Sequence, residues 1–125
     1  MLIYLYRVNR GLNRCIRTAY SFGFENIFLV DCGKYDNRLF SAKRIRINRT
    51  LNFSFGKGLL LEKNKGKEIR SVNLKEYDFI ILGGESIILT KKIYDGNFCY
   101  IQTKNDFCLT SPVALSIFCW EYQKC

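Results

Sequence analysis

The chain has 125 residues, 48% of them hydrophobic and 15% aromatic, and carries a formal net charge of +9. That length and apolar content suit one folded domain over 1–125 with a packed core, and argue against disorder. The longest apolar stretches, 79–82 and 112–120, fall far short of the roughly 20 residues that span a bilayer, and the start, Met-Leu-Ile-Tyr-Leu-Tyr-Arg, lacks the regions of a signal peptide, so a cytoplasmic location is expected.

Six cysteines are present, Cys15, Cys32, Cys99, Cys108, Cys119 and Cys125, with no C-x-x-C pair and no histidine. A metal site is therefore not expected. Most of these thiols sit in apolar runs, where a free cysteine behaves as a small buried hydrophobe in a reducing compartment. The charge is uneven: between Lys34 and Arg70 there are eleven Lys and Arg against the three acids Asp36, Glu62 and Glu68. A stretch of that kind favours polyanions, with RNA or DNA the first candidate.

Residues 2–6 form a short apolar, aromatic-rich run that suits a buried parallel strand. Leu12, Cys15, Ile16, Ala19 and Phe22 then follow helical spacing, with Gly23 placed to end the helix and Arg10, Arg14, Arg17 and Ser21 on the opposite face. Residues 26–31 read as a second buried strand, completing a βαβ unit, and 31–38 as a polar loop. From 39 to 58 the pattern is weak, part helix and part strand. Next come a strand at 59–62, a turn at 63–66, a helical turn at 73–77 and the strongest strand of all, 78–82, stopped by Gly83 and Gly84. A small helix is expected at 90–94, a strand at 97–101 and a loop at 104–107. In the last helix Ser111 is placed to cap, Pro112 stands in the first turn, and Val113, Ala114, Ile117, Phe118 and Trp120 supply a broad apolar face.

Three junctions stand out: 11–23, 82–85 and 108–121. Each is a point where an open α/β sheet offers backbone donors and a few polar side chains to a ligand. In order and spacing they resemble the motifs of the SpoU/TrmH family, the RNA ribose 2′-O-methyltransferases of the SPOUT superfamily, from Met1 to Glu121. Arg17, Thr18, Ala19 and Gly23 match the second half of that family's first motif, N-x-G-x-x-x-R-[ST]-A-x-x-x-G. In its first half Gly11 and Asn13 exchange the expected residues, while Asn9 and Gly11 restore the wording only with a shift of two. Gly83, Glu85 and Leu89 match the second motif, with Ile88 in place of a glycine. Ile101-Gln-Thr103, 108–114 and Trp120-Glu121 align with the third, with Thr110 where the family usually has Asn.

The resemblance implies an α/β fold, a mostly parallel sheet with flanking helices and a C-terminal trefoil knot, in which the knot holds S-adenosylmethionine. It implies Leu61, Gly83, Ile101, Cys108 and Leu109 as cofactor-binding residues and Arg17, Asn13, Glu85 and Thr110 as the catalytic set. Arginine is a poor base, so Arg17 is expected to orient a phosphate and ease the charge of a developing alkoxide. The implied partners are RNA, tRNA or rRNA, and a second copy of the chain, since family members usually dimerise through their first and last helices. No membrane and no metal enter. Two further readings stand beside this one: a catalytically inactive RNA-binding or assembly protein with the same fold, which the departures at Gly11/Asn13, Ile88 and Thr110 favour, and a small basic α/β domain binding some other anion.

Overall fold

The computed structural model describes residues 1–105 and 108–125. Among the described residues, strands β1 (Leu2–Tyr6), β2 (Asn26–Val30), β3 (Arg46–Thr50), β4 (Gly58–Leu61), β5 (Lys67–Glu68), β6 (Phe79–Gly83) and β7 (Asn97–Tyr100) form one sheet in the order β3-β2-β1-β6-β4-β7-β5. Every pairing is parallel. The centre is where the sequence is most continuously apolar: Ile3 and Leu5 of β1, Leu59 and Leu60 of β4, and Phe79, Ile80 and Ile81 of β6 are sealed from solvent or nearly so. A parallel strand covered on both sides has no polar face to show.

Two helices, α1 (Leu12–Ser21) and α2 (Ser111–Lys124), lie on the same face of the sheet. Helical spacing puts Leu12, Cys15, Ile16 and Ala19 of α1 inward against Ile3, Leu5, Ile27 and Leu29. Each large apolar side chain so buried contributes about 1.5–3 kcal/mol. Helix α2 adds Leu115, Phe118 and Cys119 to the same core, and Phe24 packs on Phe118 and Tyr122 at ring separations of 6.4 and 5.4 Å. The opposite face carries aromatic rings in place of a helix. Tyr4 stacks on Phe28 at 4.8 Å and meets Phe79 edge-on at 5.3 Å, and Phe53 and Tyr94 close over them. The Tyr94 hydroxyl donates to the Gly56 carbonyl at 2.9 Å, which pins the connecting segment down.

Several sequence expectations need correction. Residues 90–94 form a turn rather than a helix, held by the amides of Ile93 and Tyr94 donating to Thr90 O. The 39–58 stretch holds edge strand β3, whose exposed arginines are the kind of side chain that discourages further strand addition. Thr110, not Ser111, stands at the N-cap of α2, without a side-chain cap bond; Ser111 is buried and donates its hydroxyl to Gly83 O at 3.0 Å. Val113 and Trp120, expected in the apolar face, are exposed at 46% and 53%. The loop expected at 104–107 lies partly outside the described residues. No helix among the described residues is long and apolar enough to cross a membrane.

Of the cysteines, Cys15, Cys99 and Cys119 are buried free thiols, and burial pushes each of them up to about 12. They are packing residues and stay protonated. Phe118 is the largest α2 side chain fully inside the core. Phe118→Ala should cost roughly 3–5 kcal/mol of stability, read as a lower denaturant midpoint with an unchanged slope.

Candidate functional site

The carboxyl ends of β4, β6 and β7 lie side by side, and the chain leaving each of them contributes to a cavity of about 290 Å³. Ligands in open α/β sheets bind outside these strand ends. The walls include Leu61 at the end of β4, Leu82 to Glu85 at the end of β6 and just beyond it, Ile101 after β7, and Cys108 and Leu109 ahead of α2. The five residues expected to hold a cofactor, Leu61, Gly83, Ile101, Cys108 and Leu109, therefore meet around one space, although they are spread over nearly fifty positions of the chain.

Gly84 fixes how the chain leaves β6. Its N–H donates to Tyr6 O at 2.9 Å, extending the ladder with β1, and a Cβ there would collide with the Arg7 carbonyl. Gly11 plays the matching part at the start of α1. It has φ +73°, a conformation that glycine adopts without steric cost, and a Cβ on it would lie 2.8 Å from Pro112 Cγ. The beginnings of α1 and α2 are thus in contact.

That contact forms the floor of a second, open cleft of about 510 Å³ lined by Arg10, Gly11, Arg14, Arg17, Thr18, Glu85, Thr110, Pro112, Val113 and Ser116. Of the expected catalytic set, Arg17, Glu85 and Thr110 come together here. Glu85 lines the cavity and the cleft alike, so the two spaces adjoin. Asn13 lines neither: its Oδ1 accepts the Asp36 amide at 2.8 Å and anchors the loop after β2. Ile88 is 69% exposed and sits on the cavity wall.

The sequence reading missed Glu62 and Lys65, which also line the cavity. Glu62 Oε1 accepts the Leu89 amide at 3.2 Å, and Lys65 Nζ donates to the Leu89 carbonyl at 2.8 Å. Together they clamp both backbone groups of Leu89, a fully buried residue, and so hold the 84–90 loop as a cavity wall. The available signal was the Glu62 charge directly after the wholly apolar Leu59-Leu60-Leu61, with Lys65 three residues further on. Burial pushes the Glu62 carboxyl above the usual range, against the lowering effects of the Leu89 amide and Lys65. Among the described residues no group of three or more His, Cys, Asp or Glu is disposed to hold a metal ion.

Comparison of the sequence with family models and with curated proteins finds no match. The fold, in contrast, recurs widely among solved structures. One, concerned with the 2′-OH methylation of C/U34 on tRNA, superposes with a TM-score of 0.79 at 15% identity, covering 98% of this chain and 88% of that one. The SpoU methyltransferase AviRb from Streptomyces viridochromogenes in complex with AdoMet gives 0.78 at 12% identity, covering 99% and 59%. An AdoMet-bound rRNA methyltransferase from Sinorhizobium meliloti gives 0.74 at 22% identity, covering 98% and 55%. The chain thus has the parallel α/β fold of the SpoU/TrmH RNA methyltransferases, and spans well under two thirds of the length of the last two.

A carboxyl that binds its proton more tightly when folded favours the native state most at low pH, and that contribution is lost as pH rises from the unfolded value through the folded one. Glu62→Gln keeps an oxygen for the Leu89 amide and removes the titration. The stability of the variant relative to the parent should therefore increase as pH rises above the ordinary glutamate range and then level off. Denaturant titrations across acidic to neutral pH check this, and a pH-independent difference would refute it.

Proposed function

We propose that this chain is an S-adenosylmethionine-dependent RNA 2′-O-ribose methyltransferase, with tRNA the favoured substrate. The observation that carries the reading is the adjacency of two spaces: a cavity at the strand ends, walled by Leu61, Gly83, Ile101, Cys108 and Leu109, and an arginine-lined cleft that shares Glu85 with it. The 88% coverage of a neighbour concerned with C/U34 of tRNA supports the choice of substrate.

The cavity suits the cofactor. Its volume stands at the lower edge of the roughly 300–1,000 Å³ usual for small-molecule sites. Apolar side chains dominate its walls, and the half-buried Glu62 carboxyl is an acceptor beside a space that would receive a cationic ligand. At Gly83 a Cβ would stand 3.2 Å from Leu89 Cδ2, a tight contact that leaves little room for a side chain. When bound, the cofactor supplies an electrophilic methyl group on a sulfonium. The protein has only to place a ribose hydroxyl and ease loss of its proton. Arg17, exposed and without an ion-pair partner among the described residues, orients the phosphate and offsets negative charge growing on the ribose oxygen. Thr110 offers a hydroxyl on the opposite wall, and Glu85 stands at the passage between the two spaces.

In this reading the fold carries the C-terminal trefoil knot of the superfamily. The buried Ser111–Gly83 bond ties the start of α2 to the end of β6, where that knot would close. A second copy would cover the exposed Val113 and Trp120 face of α2. One observation favours the alternative of a silent RNA-binding protein with the same fold: Asn13 is committed to the Asp36 amide and does not face the cleft.

Calorimetric titration with S-adenosylmethionine separates the two. Micromolar binding is expected for the parent and should be lost in Gly83→Leu and in Cys108→Trp, the latter at an exposed position that leaves the sheet intact. No binding by the folded parent would favour the silent protein. Arg17→Ala should retain cofactor binding yet lose roughly 10²–10³-fold in methyl transfer to tRNA, the usual cost of removing a charge-stabilising donor; full retained activity would end its assigned role.

A further inference from the structure

The cleft holds more positive charge than the proposed chemistry requires. Arg10, Arg14 and Arg17 follow one another along the start of α1, all exposed and all lining the same wall. Some cations elsewhere on this surface find partners, Arg7 with Asp31 at 2.9 Å, Arg38 with Asp36 at 3.2 Å, Lys57 with Glu76 at 3.5 Å and Arg70 with Glu68 at 2.9 Å, and others such as Arg44 and Arg46 do not among the described residues; what sets the cleft apart is three arginines lining one concave space. The three cleft arginines have none among the described residues, and the first turn of α1 contains no acidic side chain. Arg14 and Arg17, three residues apart on the helix, repel, and with Arg10 just ahead of Gly11 they stand at the end of the helix that itself favours anions. The arrangement carries a mutual repulsion that a bound anion would relieve.

We propose that Arg10 and Arg14 extend Arg17 into a track that grips successive phosphates of a single RNA strand, and so set which ribose reaches the strand-end cavity. Guanidinium groups suit this because each can present two parallel N–H donors to one phosphate. Arg14 and Arg17 are separated by about 4.5 Å of helix rise, and Arg10 continues the line beyond Gly11, so the positive charge is spread along the cleft rather than focused on one point. That distribution suits a polyanion better than an isolated phosphate. Thr18 adds a hydroxyl along the same cleft, and Glu85 marks where the strand must turn toward the cavity. The proposal rests on the methyltransferase reading for the identity of the strand, though the grip on phosphates does not depend on catalysis.

The test is the salt dependence of binding of a single-stranded oligouridylate by the full chain, for the parent, Arg10→Gln, Arg14→Gln and the edge-strand control Arg46→Gln. Each phosphate released should reduce the magnitude of the log–log salt slope by about 0.7. We expect that loss in Arg10→Gln and in Arg14→Gln, with weaker binding to every sequence, an unchanged affinity for S-adenosylmethionine, and a smaller effect from Arg46→Gln. An unchanged slope in the two cleft variants, or an equal loss in the control, overturns the proposal. Equal competition by inorganic phosphate or uridine monophosphate at the same charge concentration overturns the strand and leaves a small-anion site. A parent that binds oligouridylate through the cleft arginines yet binds no cofactor sinks the methyltransferase reading and leaves the track in place.

Discussion

The hydrogen bond from Ser111 Oγ to Gly83 O fixes the geometry of both spaces. It is one buried contact, 3.0 Å long, worth about 1 kcal/mol net, with a larger penalty if the carbonyl were left unpaired. Its importance is positional. It holds the first turn of α2 against the end of the central strand, which brings Pro112 onto Gly11 and sets the starts of the two helices together. On one side of that junction lies the strand-end cavity and on the other the arginine cleft, and Glu85, two residues past Gly83, borders each.

Around this junction the protein assigns rigidity and charge to different parts. The cavity wall is fastened through the backbone of Leu89, held by Glu62 and Lys65, while the cleft wall is a helix face whose arginines are unpaired. Fixed walls position a ligand, and unpaired cations await one. The solved RNA methyltransferases share the path of the backbone at identities of 11–22%.

Much of the centre was legible because continuous apolar runs report buried parallel strands: β1, β2, β4 and β6 stand within one residue of their expected bounds. Helix α1 was legible from its spacing, with Leu12, Cys15, Ile16 and Ala19 inward as that spacing requires. Strand β3 was not, because an edge strand of Arg, Ile, Asn, Arg and Thr owes its conformation to pairing with β2 and to no pattern of its own. Helix α2 shows a different failure. It is apolar on almost every side, so periodicity could not tell that Leu115, Phe118 and Cys119 face inward while Val113 and Trp120 face out. For the site, motif spacing located the residues around the cavity and three of those around the cleft. It was blind to Asn13, whose partner lies on a loop brought in by the fold, and to the clamp on Leu89, which joins residues from separate connections.

The strand order also governs how the molecule assembles. β1, among the first residues of the chain, lies at the middle of the sheet, and one of its two neighbours is β6, so that Leu2 is partnered by Phe79. Strand β4 is likewise without its main neighbour until β6 is present. A nascent chain can therefore close the β1-α1-β2 unit early, but half of its central surface must wait, apolar and unpaired, until β6 has left the ribosome. Such long-range parallel pairing folds slowly, and the interval before β6 inserts is when this chain is most exposed to aggregation.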